Sequence, residues 1–83
     1  MAESSYNAKT LQDLVNKITH QYLEDIEGCR DSSLYYKIID SVEEGFFRSL
    51  ISFTKGNQKE AAEISGISRN TIRKKLKKFN IET

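Results

Sequence analysis

A run of basic residues near the end of the chain is the feature best suited to binding a ligand. Residues 69–78 read Arg-Asn-Thr-Ile-Arg-Lys-Lys-Leu-Lys-Lys, which places six cationic side chains in ten positions. Such a run can bind a polyanion, and arginine and asparagine can each pair bidentately with a base, guanine and adenine respectively. A basic last turn can also simply complement the dipole of a helix. The elements that position the run decide between these interpretations.

The residues before the run predict two short helices joined by a tight turn. The Asn-x-x-Glu sequence of residues 57–60 is a variant capping box that opens a helix ending at about residue 65. Gly66 breaks this helix, and Ser68 caps the next one, which covers residues 69 to about 79. Two helices joined by about three residues that include a glycine form a helix-turn-helix.

The second short helix has an apolar side and a basic side. Ala62, Gly66 and Ile72 have the spacing that the turn needs, and Ile72, Leu76 and Phe79 form the inner face. In helix-turn-helix proteins the first residues of the second helix reach base edges in the major groove, and lysines bind phosphates. We therefore predict that the following residues bind DNA: Asn57, Lys59, Ser68, Arg69, Asn70, Thr71, Arg73, Lys74, Lys75, Lys77 and Lys78.

Two longer helices are predicted upstream. The first runs from about Thr10, its N-cap, to about Glu27, carries one apolar stripe and stops at Gly28. The second starts after residues 31–33, ends at about residue 55 and has apolar residues on more than one face. The first helix can cover one of these faces, and a second copy of the chain can cover another.

The resulting plan is an all-α chain of four helices. We expect a disordered tail at residues 1–9, dimerisation helices at residues 10–55 and a helix-turn-helix region at residues 56–83. Gly45 lies inside the second helix, where it marks a bend or a close helix approach. No strand-like alternation of apolar and polar residues is sustained.

The charge distribution indicates that the two parts of the chain have different functions. Residues 1–53 contain five basic and nine acidic side chains, a net charge of −4, whereas residues 54–83 contain eight and three, a net charge of +5. A basic end beside an acidic remainder is typical of a chain that binds a polyanion through one part only.

Composition excludes several other classes of protein. Cys29 is the only cysteine and His20 the only histidine, so we expect no intrachain disulfide, no metal site and no cofactor. Oligomerisation then remains as the support for so short a chain. No catalytic triad or phosphate-binding loop is present, so we expect no enzymatic activity. Because no signal peptide or long apolar run is visible, we expect a cytoplasmic protein.

The sequence resembles the Fis family, the bacterial factors for inversion stimulation. The stretches Thr54-Lys-Gly-Asn-Gln, Gly66-Ile-Ser-Arg and Thr71-Ile-Arg-Lys-Lys-Leu-Lys-Lys-Phe carry the resemblance. The same helix-turn-helix also closes many enhancer-binding response regulators. The upstream matches, Leu11-Gln-Asp-Leu-Val and Leu34-Tyr among them, separate the two and extend the resemblance to about residues 10–83.

The resemblance implies a homodimer whose first two helices form an intertwined core. It also implies a nucleoid-associated regulator of transcription that bends DNA at degenerate sites with A/T-rich centres. The family's DNA contacts fall here on Asn57, Arg69, Thr71, Arg73, Lys74 and the following lysines. For the dimer interface we predict the following residues: Tyr22, Leu34, Ile38, Val42, Phe46, Phe47 and Leu50.

Four positions and the tail depart from the best-known members of the family. Ser68 replaces an asparagine, Lys59-Glu60 replaces Thr-Arg, and Gly45 replaces a kink-forming proline. About ten residues precede the first predicted helix, whereas members that activate invertases carry a longer mobile arm. The short arm argues against contact with a recombinase.

Two other functional hypotheses are open. Residues 10–55 could pair with another regulator while the basic helix acts only as a tether, which the acidic first part of the chain motivates. A small enzyme requires a pocket that the sequence does not predict.

Overall fold

A computed structural model describes residues 7–25 and 32–83 of the 83-residue chain. These residues form no strand, and the all-α class predicted from the sequence is confirmed. The described elements, in chain order, are α1 (Ala8–Asp25), α2 (Leu34–Phe53), α3 (Gln58–Ser65) and α4 (Arg69–Lys78).

Helix α1 begins two residues earlier than predicted. The Oδ1 atom of Asn7 accepts hydrogen bonds from the backbone N–H groups of Lys9 and Thr10, at 3.0 and 3.2 Å. Asn7 therefore satisfies the free amides of the first turn, and the prediction of Thr10 as the N-cap was wrong. Ala8 and Lys9, assigned to the tail by the sequence, are helical. The predicted stop at Gly28 lies outside the described residues.

The apolar stripe of α1 is exposed. None of the residues of this helix is buried, and Leu11, Leu14, Ile18 and Leu23 each expose more than two fifths of their surface. The chain divides into two compact units, residues 1–33 and 34–83, and α1 belongs to the first.

Helix α2 is apolar on two sides, as its sequence predicts. Phe47 and Ile51 are buried, whereas Val42, Phe46 and Phe53 are exposed. Gly45 lies inside this helix, and a Cβ atom added there would meet no atom within 4 Å. Among the described residues, therefore, no close helix approach explains this glycine.

The C-terminal end of α2 is a Schellman motif. The N–H of Gly56 donates to the carbonyl of Ile51 at 3.0 Å, and the N–H of Lys55 donates to that of Ser52 at 3.2 Å. Lys55 itself takes the left-handed conformation at φ 53°, one residue before Gly56. The helix consequently ends at Phe53 rather than near residue 55.

The second unit is built around one small core. This core joins α2 to the two short helices, and its buried members are Phe47, Ile51, Ala61, Ile72 and Leu76. Leu50 packs against it while partly exposed. Phe47, which the sequence assigned to the dimer interface, is 3% exposed and belongs to this core within the chain.

Candidate nucleic-acid interface

The predicted helix-turn-helix is present, and local hydrogen bonds set its first helix. The Oδ1 atom of Asn57 accepts from the N–H of Glu60 at 3.0 Å and caps α3. The reciprocal bond of a full capping box is not used, because the N–H of Asn57 donates to the carbonyl of Thr54. Half of the predicted capping box is therefore formed, and it is enough to start the helix where the sequence placed it.

The turn between α3 and α4 depends on Gly66 and Ser68. Gly66 has φ 79° and donates its N–H to the carbonyl of Ala62, which ends α3. A residue with a Cβ atom is disfavoured in this left-handed conformation. Ser68 then starts α4, because its Oγ atom accepts from the N–H of Thr71 at 3.1 Å. The turn thus has the glycine and the cap that the sequence predicts.

Packing beneath the turn follows the predicted pattern with one shift. Ile72 has no exposed surface and Leu76 is buried, so the inner face of α4 is the predicted one. The small residue with no exposed surface is Ala61, while Ala62, predicted for that place, is partly buried. Two adjacent alanines can satisfy the same spacing, and only the packing distinguishes them.

The outer face of α4 carries side chains of the types that read bases and bind phosphates. It is exposed, and among the described residues no acidic side chain pairs with its four cations. Asn70 Oδ1 accepts a hydrogen bond from Arg73 Nη2 at 2.9 Å, which holds these two side chains side by side. The residues of this outer face are Arg69, Asn70, Arg73, Lys74 and Lys77.

Two of the lysines predicted to bind DNA lie on the side of α4 that faces α2. Lys75 Nζ is 2.7 Å from Glu43 Oε1, and Lys78 Nζ is 3.0 Å from Asp40 Oδ1. The two partners of the first pair are about one-third exposed or less, while those of the second pair are more open. The structure thus separates the six cations of residues 69–78 into an outer set of four and an inner set of two.

A third contact holds the end of α4. Arg48 Nη2 lies 2.8 Å from Glu44 Oε2 and 3.5 Å from the backbone carbonyl of Phe79. A cation beside the free carbonyl groups of a helix end is favourable. Asp40, Glu43 and this arginine contact α4, and none of them was predicted from the sequence to position that helix. Acids spaced i, i+3 on one helix and lysines spaced i, i+3 on another were the available signal.

The remaining predicted contacts lie at the N-terminal ends of α3 and α4. Asn57, Lys59, Ser68 and Thr71 are all exposed on the surface of the unit that carries α4. The Ser68 hydroxyl also donates to Thr71 Oγ1 at 3.0 Å, so its Oγ atom serves the cap while it lies at the surface. These four residues have the exposure that contact with DNA requires.

Other features of the described residues bear on metals, membranes and small ligands. They contain no group of three or more metal-binding side chains. None of their helices is both long and apolar enough to cross a membrane. A shallow cavity of about 610 Å³ lies between the end of α2 and residues 80–83, lined in part by Arg48, Ser52 and Lys55. In the described part of the chain, no hydrogen bond joins the Ser52 side chain to a basic side chain.

The fold and this surface define a helix-turn-helix DNA-binding protein. Residues 52–79 match the family model described as bacterial regulatory protein, Fis family. The chain is similar to the DNA-binding protein Fis of Haemophilus influenzae, with 36% identity over 96% of this chain and 81% of the relative.

Proteins of the same name from two further bacteria are also similar. The Vibrio atlanticus protein is 35% identical over 96% of this chain and 82% of its own length, and that of Pasteurella multocida is 35% identical over 96% and 81%. No solved structure matches the chain. The chain belongs to the Fis family, as its sequence predicts.

Proposed function

We propose that the chain acts as a homodimer that binds and bends DNA at degenerate sites with A/T-rich centres. In this proposal it organises the nucleoid and regulates transcription in the cytoplasm, without enzymatic activity. Residues 10–55 supply dimerisation and residues 56–83 bind DNA. The family relationship supports the proposal as a whole, and the surface of α2 carries its homodimer part.

The exposed face of α2 is the observation that favours a second copy of the chain. Val42, Phe46 and Phe53 are exposed on the side of α2 away from the core that holds Phe47 and Ile51. Apolar side chains grouped on one helix face usually mark an interaction surface. Because Tyr22, Leu34 and Ile38 are also incompletely buried, they remain predicted members of the same interface.

Dimerisation gives bending a physical basis. A two-fold dimer presents two α4 helices, and each can enter a major groove only where the grooves lie at the matching separation. Where straight DNA does not provide this separation, the duplex has to bend and its central minor groove has to narrow. This deformation costs less in some sequences than in others, which yields preference at base pairs that the protein never contacts.

Gel-shift titration can measure the proposed preference for sites with A/T-rich centres. Two duplexes of about 27 bp, long enough for two half-sites one helical turn apart with flanks, would differ only in an A/T-rich or a G/C-rich centre. We expect a dimer to bind the A/T-rich duplex more tightly. Arg69→Ala should cost about 1–3 kcal/mol and reduce sequence preference, because arginine at this position reaches a base.

Two other outcomes contradict the proposal. A protein that sediments as a monomer at micromolar concentration is not the proposed dimer. Equal and weak binding of both duplexes, no tighter than binding to heparin, would mean that α4 is only an electrostatic tether. In that case the pairing of residues 10–55 with another regulator becomes the better hypothesis.

A further inference from the structure

The two ion pairs between α2 and α4 share one register. Asp40 pairs with Lys78 and Glu43 pairs with Lys75, so both acids and both lysines are three residues apart. The pairing residues follow one another in the opposite order along α4, so α2 and α4 run antiparallel where they touch. Side chains three residues apart on a helix lie on the same side, so the pairs form a continuous edge along the contact.

The same periodicity separates these lysines from the outer cations. Lys75 follows the buried Ile72 by three residues, and Lys78 follows Lys75 by three, so both lie on the flank nearest α2. Lys74 and Lys77, also three residues apart, continue the outer side begun by Asn70. Lys78 Nζ additionally lies 5.3 Å from the centroid of the Phe79 ring, a second contact that keeps it on its flank.

We propose that Asp40 and Glu43 retain Lys78 and Lys75 on α2 and thereby limit how many DNA phosphates each protomer neutralises. The inference rests on the proposed DNA contacts of α4. Lys74 and Lys77 bind phosphates, whereas the inner lysines hold α4 in place. Asp40 and Glu43 are positioning residues, and the more open pair of Asp40 also opposes the approach of phosphate to Lys78.

Adjacent lysines provide a matched comparison. The slope of the logarithm of the DNA-binding constant against the logarithm of salt concentration becomes shallower by about 0.9 for each phosphate contact that is lost. We expect Lys77→Ala to reduce this slope by about that amount per protomer and Lys78→Ala to leave it unchanged. Both variants remove the same charge from neighbouring positions on one helix, so the total charge of the protein does not separate them.

Removal of the carboxylate should have the opposite effect. Asp40→Asn frees Lys78 for a phosphate, so we expect the slope to steepen by about 0.9 per protomer. Because the pair is exposed, we expect binding to tighten by roughly two- to five-fold on both duplexes. The gain in slope should disappear in the Asp40→Asn/Lys78→Ala double variant, which tests whether Asp40 acts through Lys78.

The outcomes separate this inference from the proposed function. If Lys78→Ala flattens the slope as much as Lys77→Ala, or if Asp40→Asn leaves the slope unchanged, the inner lysines are not retained and the inference fails while DNA binding stands. If neither Lys74→Ala nor Lys77→Ala changes the slope, the proposed phosphate contacts themselves fail. Circular dichroism of each variant establishes that the helices are retained, which an exposed pair should allow.

Discussion

At the scale of single residues, the candidate DNA-binding surface depends on side-chain oxygens that accept hydrogen bonds from backbone N–H groups. Asn57 and Ser68 each place one side-chain oxygen on an amide of the following helix. The free amides at a helix start otherwise need water or a ligand. These two caps fix where α3 and α4 begin.

The Ser68 cap can be tested by its removal. Ser68→Ala loses the acceptor for the Thr71 amide, so we expect the free energy of unfolding to fall by about 1 kcal/mol. Urea denaturation followed by circular dichroism measures this change. Ser68→Asp is the control, because aspartate caps helices as well as serine does. An alanine variant as stable as the wild type would show that water replaces the hydroxyl without cost.

At the scale of elements, α2 has two apolar faces and serves two purposes. One face supplies Phe47 and Ile51 to the core of the second unit, while the other exposes Val42 and Phe46. An acidic edge that includes Asp40 and Glu43 adjoins the first face and pairs with α4. This division explains why a 20-residue helix carries more apolar surface than the short helices can cover.

A substitution at Gly45 tests whether a partner helix packs directly against this part of α2. Alanine there meets no atom of the described chain within 4 Å and is the better helix former by about 1 kcal/mol. We therefore expect Gly45→Ala to raise the midpoint of thermal unfolding. Sedimentation of the same variant is the control for assembly. A loss of stability accompanied by dissociation would instead place a partner helix directly against this glycine.

At the scale of the whole molecule, two neighbouring phenylalanines lie in different environments. Phe47 is 3% exposed within the core, and Phe46, whose ring packs edge-on against it, is 47% exposed. Successive residues of a helix point about 100° apart, so adjacent side chains can belong to an intrachain core and to an interchain surface. The proposed dimer therefore needs Phe46 for assembly and Phe47 for folding.

Alanine at these two positions should separate assembly from folding. Phe47→Ala should cost about 3–5 kcal/mol of unfolding free energy, because it empties a buried site. Phe46→Ala should retain the helices and weaken the dimer by at least about fivefold, since truncation of an aromatic residue at the centre of an interface costs more than about 1 kcal/mol. Circular dichroism and analytical ultracentrifugation measure the two effects. The opposite assignment would emerge if Phe46→Ala unfolded the chain.

The sequence by itself determined the helices, the turn and the family. The signals for these features are local: a cap and its amide are three residues apart, and the turn glycine adopts a backbone conformation that few other residues tolerate. The helix ends were predicted less accurately. Asn7 caps α1 and Lys55 takes the left-handed conformation after α2, although Thr10 and Gly56 are residue types that suit the same two roles. A terminus is set by whichever of several adjacent residues satisfies the backbone best.

Only the tertiary structure decided how α2 is oriented and which lysines of α4 are free. A helix with two apolar faces gives a periodicity that does not say which face turns inward, so Phe46 and Phe47 could not be distinguished. The ion pairs that retain Lys75 and Lys78 join residues 32 and 38 positions apart. Such pairs depend on how two helices pack, so the basic run alone could not show that Lys75 and Lys78 have acidic partners on α2.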